Sequence, residues 1–196
     1  HATGQVAAFD FNEWSHPAER LLQALNAKLP ADLAVRKIKP ARADFHPRFD
    51  ARSRSYRYRL FCEPIRDPLR EKFAWRLWPR PERVALNQAA EIFLGTHDFA
   101  AFGSATSEKG TTTRTVTKSE WRQKPHGEWQ FEVRADAFLY RMVRRLVFVQ
   151  VAVAQGRCSV DEIRLALNGQ GKLPAGLAPA QGLSLSNVEY GSLKRY

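Results

Sequence analysis

The chain is poor in the residues that announce a bound cofactor or a cross-linked scaffold. It has two cysteines, Cys62 and Cys158, in 196 residues, which excludes a disulfide framework and a cysteine-rich metal cluster. It holds no G-x-G-x-x-G turn and no P-loop, and its five histidines are scattered, so the usual phosphate-cradling and metal-ligand spacings are missing. No Ser–His–Asp arrangement stands out, and neither a metal nor a cofactor is expected. Long apolar runs are missing as well. The longest, Leu146 to Ala154, is broken by Gln150 and falls short of the roughly 18 residues that a membrane span needs. With no signal-peptide pattern and so few thiols, the expected setting is reducing and cytoplasmic, away from membranes. Methionine is scarcest: Met142 is the only one. The chain opens on His1-Ala2-Thr3-Gly4-Gln5-Val6 and runs into Val6-Ala7-Ala8-Phe9-Asp10-Phe11, which reads as a buried strand already under way. That opening is the expectation for a chain whose N-terminal part is missing.

Positive charge is what the chain has in excess. The formal net charge is +11, and arginine clearly outnumbers lysine. A basic surface draws polyanions, and the planar guanidinium fork suits phosphates and base edges better than an ammonium does. Aromatic residues interleave with these arginines. The combination points to nucleic acid, and to RNA before DNA.

Hydrophobic periodicity divides the chain. Ser15-His16-Pro17 supplies a cap and an early proline for a helix carrying Leu21, Leu22, Leu25 and Leu29, which Pro30 stops. A strand is expected over Leu33 to Ile38. Ala43 to Ser53 is a polar, basic connector. Ser55-Tyr56-Arg57-Tyr58-Arg59-Leu60-Phe61 alternates strictly. It sets Tyr56, Tyr58 and Leu60 on one face and Arg57, Arg59 and Phe61 on the other. A Pro- and Arg-rich loop covers residues 63 to 80. A helix follows from Pro81 to Leu94, with Gly95 as its C-cap and Val84, Ala89, Ala90, Phe93 and Leu94 buried. Thr115 to Gln123 and Glu128 to Ala135 read as a hairpin. Helices are expected from about Leu139 to Gln155 and from Ser159, where Glu162 completes a capping box, to near Gly169. Residues 170 to 181 are a loop, and Ser184 to Tyr190 is a closing strand. The order implies an α+β fold, a mainly antiparallel sheet backed by helices. Strand–helix–strand precedes the connector and recurs after it, as two similar α/β halves would. The first half, residues 1–42, is incomplete, and residues 43–196 form the second.

Two segments could carry chemistry. In Arg54-Ser55-Tyr56-Arg57-Tyr58, a tyrosine could stack on a base or move a proton while the arginines hold phosphates; a half-buried aromatic strand with a solvated basic face explains the same pattern. In Phe138-Leu139-Tyr140-Arg141-Met142-Val143-Arg144-Arg145, Arg144 lies near the buried face of an otherwise apolar helix. A buried guanidinium demands an anion, either a protein carboxylate or a phosphate.

With these segments in view, the chain resembles the tRNA pseudouridine synthase A (TruA) family over essentially its whole length. His1-Ala2 matches the end of the family motif G-R-T-D-x-G-V-H-A. Phe45-His46-Pro47-Arg48-Phe49 with Arg54 and Tyr56-Arg57-Tyr58 matches F-H-A-R-F-x-A-x-x-R-x-Y-x-Y. His97 to Phe102 contains D-F-x-x-F, and Arg114-Thr115-Val116 matches R-T-I/V. Phe138 to Arg144 matches F-L-x-x-M-V-R. Gly182-Leu183-Ser184-Leu185 with Val188 and Tyr190 matches G-L-x-L-x-x-V-x-Y. The resemblance implies a pseudouridine synthase fold and a homodimer. It also implies isomerisation of uridine at positions 38 to 40 in the anticodon arm of tRNA, without metal or cofactor. Tyr56 then stacks on the flipped base and takes its C5 proton, Arg144 pairs with the catalytic aspartate, and Leu183 and Leu185 wall the uracil pocket. Arg48, Arg54, Arg57 and Arg59 are phosphate contacts. The catalytic aspartate of G-R-T-D falls four residues upstream of His1, outside the sequence, and no other carboxylate replaces it by motif. The chain alone is therefore expected to lack synthase activity. The alternatives are a non-catalytic basic RNA-binding module and a basic structural protein.

Overall fold

Alternation of β-branched and aromatic residues builds the sheet. The computed structural model describes residues 1–10, 15–107 and 110–191, which group into two units. One comprises His1–Gln5 with Ala51–Tyr196, and the other is Val6–Asp50.

In the larger unit, strand β1 (Ala51–Phe61) is the axis. The remaining strands are β2 (Trp75–Arg76), β3 (Gly95–Asp98), β4 (Thr113–Gln123), β5 (Glu128–Ala135) and β6 (Leu183–Tyr190). The order β2-β1-β5-β4-β3 is antiparallel except for β2, which runs parallel to the end of β1. On that same side of β1, β6 pairs antiparallel along residues 51–58. The β4–β5 hairpin closes where Lys124 N–H donates to the Glu128 carbonyl at 2.8 Å. Tyr58 and Leu60 stand opposite Phe131 and Trp129, and all four are buried.

Three helices cover this face: α2 (Arg83–Glu91), α3 (Met142–Ala154) and α4 (Val160–Leu167). Their buried faces join the sheet residues in one core. Gln150 of α3, fully buried, accepts from Trp121 Nε1 at 2.6 Å and donates to the Leu146 carbonyl at 3.0 Å, so its amide is satisfied inside the apolar core. The capping box forms as expected, with Ser159 and Glu162 bonding each other's backbone. The result is an α+β fold with a mostly antiparallel sheet. Among the described residues, no helix is long and apolar enough to cross a membrane.

Several local expectations shift. The helix beginning at Arg83 is capped by Glu82, whose carboxylate accepts from Val84 and Ala85 N–H; Val84 and Leu94 are exposed rather than buried. Gly95 opens β3 instead of capping the helix, which ends at Glu91 with Ile92 as its C-cap, and β2 forms inside the segment read as loop. Helix α3 starts at Met142 because Arg141 takes a left-handed backbone, φ 64°.

The smaller unit holds α1 (Ala18–Lys28), begun by Pro17 and stopped before Pro30. Only Leu21 on its apolar face is buried. The strands expected at Val6 to Phe11 and Leu33 to Ile38 do not form over the described residues, Phe11 lying outside them. Phe9 and Leu33 are 57% exposed. A strand needs a partner ladder, and among the described residues neither segment forms one. Val35 instead bonds an amide side chain: Asn26 Oδ1 accepts from its N–H at 2.7 Å and Nδ2 donates to its carbonyl at 2.9 Å.

Candidate active site

Tyr56 sits in the middle of β1, opposite Val133 of β5 and Leu185 of β6. A register shift between Ser55 and Tyr56 interrupts the β1–β6 ladder at this point; such irregularities re-aim a side chain. The Tyr56 ring meets Phe138 edge-on, 5.0 Å between centroids at 84°. Burial pushes its phenol pKa up, and the Arg54 guanidinium opposes the rise. The phenol is thus held neutral and partly buried, with Phe138, Val133 and Leu185 as apolar neighbours.

One step along the same face, Tyr58 is fully buried. Its hydroxyl donates to the Pro179 carbonyl at 2.8 Å. Burial holds its pKa well above the ordinary tyrosine value, with nearby Arg144 pulling the other way. Arg144 itself donates through Nε to the Ala178 carbonyl at 2.7 Å, and its own carbonyl accepts from Ala178 N–H at 3.2 Å. Tyr58 and Arg144 thus strap residues 178 and 179 over the core. Gly182 follows, where a Cβ would meet Tyr58 Cζ at 2.7 Å and the Arg59 carbonyl at 2.8 Å; only glycine lets β6 start this close. Leu183 then lies beside Tyr58 and Leu185 beside Tyr56.

Tyr56, Arg144, Leu183 and Leu185 therefore gather around the start of β6, beside the middle of β1. Among the described residues, no carboxylate lies within ion-pair reach of Arg144, whose recorded bond is to a backbone carbonyl. Asp136 spends its carboxylate on the backbone, Oδ1 accepting from Thr115 N–H at 3.1 Å and Ala137 N–H at 2.6 Å. It belongs to a turn at the end of β5 rather than to a helix start.

The other arginines divide. Arg54 shares the Tyr56 face and reaches the Asp136 carbonyl at 3.5 Å. Arg57 and Arg59 point to the opposite face, where β5 supplies their partners. Glu128 accepts from Arg59 Nε at 2.7 Å and Nη2 at 2.9 Å, and Glu132 lies 3.8 Å from Arg57. The hydrogen bond to Arg59 lowers the Glu128 pKa and raises that of Arg59. These two arginines are not brought together with Tyr56. Arg48 belongs to the Val6–Asp50 unit, its guanidinium 5.9 Å over the Phe49 ring.

Sequence reasoning missed Tyr58 and Phe138 as site neighbours, and the pairing of the first residues with β6. Ala2 bridges Leu185 in parallel, Thr3 and Gly4 N–H donate to the Leu185 carbonyl at 2.8 and 3.2 Å, and Leu185 N–H donates to the His1 carbonyl at 3.2 Å. The H-A end of the opening motif is thus laid against the strand whose Leu185 adjoins Tyr56. Among the described residues, no group of three or more His, Cys, Asp or Glu could share a metal ion.

A family model described as "tRNA pseudouridine synthase" matches residues 89–191. The chain is 36% identical over 193 residues to the tRNA pseudouridine synthase A of Geobacter sp. (strain M21), covering 97% of this chain and 77% of that protein. It is 37% identical over 191 residues to that of Bacillus subtilis (strain 168), covering 97% and 76%, and 35% identical over 198 residues to that of Halalkalibacterium halodurans, covering 99% and 74%.

Proposed function

Because the chain belongs to the tRNA pseudouridine synthase A family, we propose that the site around Tyr56 is the uracil pocket of a tRNA isomerase acting in the anticodon arm at positions 38 to 40. The target uridine leaves the stack and lies against Tyr56, walled by Leu183 and Leu185. The glycosidic N1–C1′ bond breaks, the ring turns, and a C5–C1′ bond forms. The Tyr56 oxygen takes the proton that C5 gives up as its own O–H proton is passed on, and a proton ends on N1, so the product is an isomer of the substrate with no atom gained or lost. Arg54 contacts a phosphate near the pocket, and Arg48, on the smaller unit, is a further phosphate contact. Arg57 and Arg59, already paired with glutamates, are phosphate contacts only where RNA reaches the opposite sheet face. Residues 43–196 act as the second of two α/β halves, and two copies form a homodimer.

The nucleophile in this reading is the aspartate of G-R-T-D-x-G-V, four residues ahead of His1. One observation carries it: the parallel bridge of Ala2 to Leu185. Running backward from Ala2, a chain that stays beside β6 heads toward Leu183 and the strap held by Arg144. An aspartate arriving there supplies the anion that the Arg144 fork lacks among the described residues. The 196 residues alone then bind RNA without turnover.

Tritium release from C5-labelled anticodon-arm RNA tests this reading. The chain as it stands is compared with a chain extended upstream through G-R-T-D-x-G-V. Release by the extended chain and none by the 196 residues is expected. Activity from the 196 residues alone would remove the upstream aspartate from the mechanism, and RNA binding without turnover by both would make this a binding module.

A further inference from the structure

A second concavity adjoins the Tyr56 site. It is a shallow, open depression of about 330 Å3 between the turn at Phe102, Gly103 and Ser104 and the start of α3, with Leu177 at its side. Two guanidiniums line it, Arg141 and Arg145, and among the described residues no carboxylate does. Its walls are fixed. Ser104 and Tyr140 form an antiparallel bridge, with Tyr140 N–H donating to the Ser104 carbonyl at 2.9 Å. At Gly103 a Cβ would meet the Tyr140 carbonyl at 2.7 Å, so the two segments approach at backbone contact. Arg145 Nη1 donates to the carbonyls of Pro174 and Gly176, pinning the third side.

Two features of this rim have no role in the core. Tyr140 is 57% exposed although its neighbours Leu139 and Met142 are buried. Arg141 holds φ 64°, a left-handed backbone that residues other than glycine and asparagine rarely adopt. In that conformation its guanidinium lies over the Tyr140 ring, 4.8 Å from the centroid. Strained positions that persist cluster at ligand sites. An aromatic face beside an arginine is the pairing that single-stranded nucleic acid uses, the base stacking on the ring and the cation meeting the backbone. The concavity also shares two of its three segments with the Tyr56 site: Phe138, two residues before Tyr140, packs on Tyr56, and Ala178, next to Leu177, is the residue Arg144 holds.

We propose that this concavity is a subsite for the nucleotide flanking the isomerised uridine, its base stacked on Tyr140 and its phosphate held by Arg141. The proposal rests on the isomerase reading for the identity of the RNA. Its test reads binding alone. Fluorescence anisotropy with a labelled anticodon-arm RNA is run on the 196-residue chain across a salt series. Arg141→Asn keeps the left-handed backbone, because asparagine tolerates it, and removes only the cation. It should hold the melting temperature and shallow the slope of log K against log salt by about 0.7, the value for one phosphate contact on a single strand. Tyr140→Ala should weaken binding roughly 5- to 150-fold, the loss of one stacked base, with the slope unchanged; Tyr140→Phe should restore it. An unchanged slope in Arg141→Asn, or affinity within about twofold in Tyr140→Ala, would overturn the subsite and leave the isomerase reading standing. Absence of RNA binding by the unsubstituted chain would overturn both.

Discussion

Tyr56 and Tyr58 stand two residues apart on one face of one strand, yet their hydroxyls have different fates. Tyr58 is closed in and bonded to Pro179, while Tyr56 is half-buried, meeting the edge of Phe138 beside Val133 and Leu185. Burial raises both pKa values above the ordinary 10.0. A group whose folded pKa is raised contributes its full stability below the unfolded pKa and loses it as pH climbs toward the folded one. The contribution of Tyr58 is therefore complete below about pH 10 and declines above it. Tyr58→Phe should cost about 1 kcal/mol at neutral pH, leaving the Pro179 carbonyl without its donor, and should flatten the alkaline loss of stability. Urea unfolding at pH 7 and in steps above pH 10 measures both; equal alkaline slopes in parent and variant would show that Tyr58 does not titrate on unfolding. The alternation that separates these tyrosines from Arg57 and Arg59 was plain in the sequence. The partners were not: Glu128 and Glu132 lie on β5, some 70 residues away, and no local pattern reports a cross-strand ion pair.

Elements that close on themselves were legible, and elements that need a distant neighbour were not. The capping box of α4 spans four residues, and the β4–β5 hairpin is local, so both formed as their motifs imply. The strands expected at 6–11 and 33–38 carry suitable residues but find no ladder over their described residues. Strand β2 was hidden in a Pro- and Arg-rich segment because its two residues exist only through pairing with Leu60 and Phe61. The start of β6 depends on Gly182, which a sequence reader sees only as loop punctuation. Gly182→Ala would push a methyl into the Tyr58 ring and the Arg59 carbonyl, neither of which can turn away. A loss of about 1–3 kcal/mol is expected, seen as a melting temperature lowered by several degrees. An unchanged melting temperature would mean that β6 does not seat against Tyr58 this closely.

At the scale of the whole molecule, the charge of +11 is only partly available to RNA. Arg57, Arg59, Lys118 and Arg122 lie in ion pairs with Glu132, Glu128 and Glu120 across the sheet face opposite α2, α3 and α4. Net charge thus indicated a polyanion partner without locating it, whereas the motif residues Tyr56, Arg144, Leu183 and Leu185 converge on the start of β6, beside the middle of β1. The claim that unites these features is that Tyr56 receives the C5 proton of a uridine held there. Tritium released from C5 during a single turnover reports that proton directly. In the chain extended through G-R-T-D-x-G-V, Tyr56→Phe should slow release by about 10²- to 10⁴-fold, the contribution of one positioned general base, while the affinity for the RNA changes by less than about tenfold. Release at the parent rate would contradict the assignment and take Tyr56 out of the mechanism.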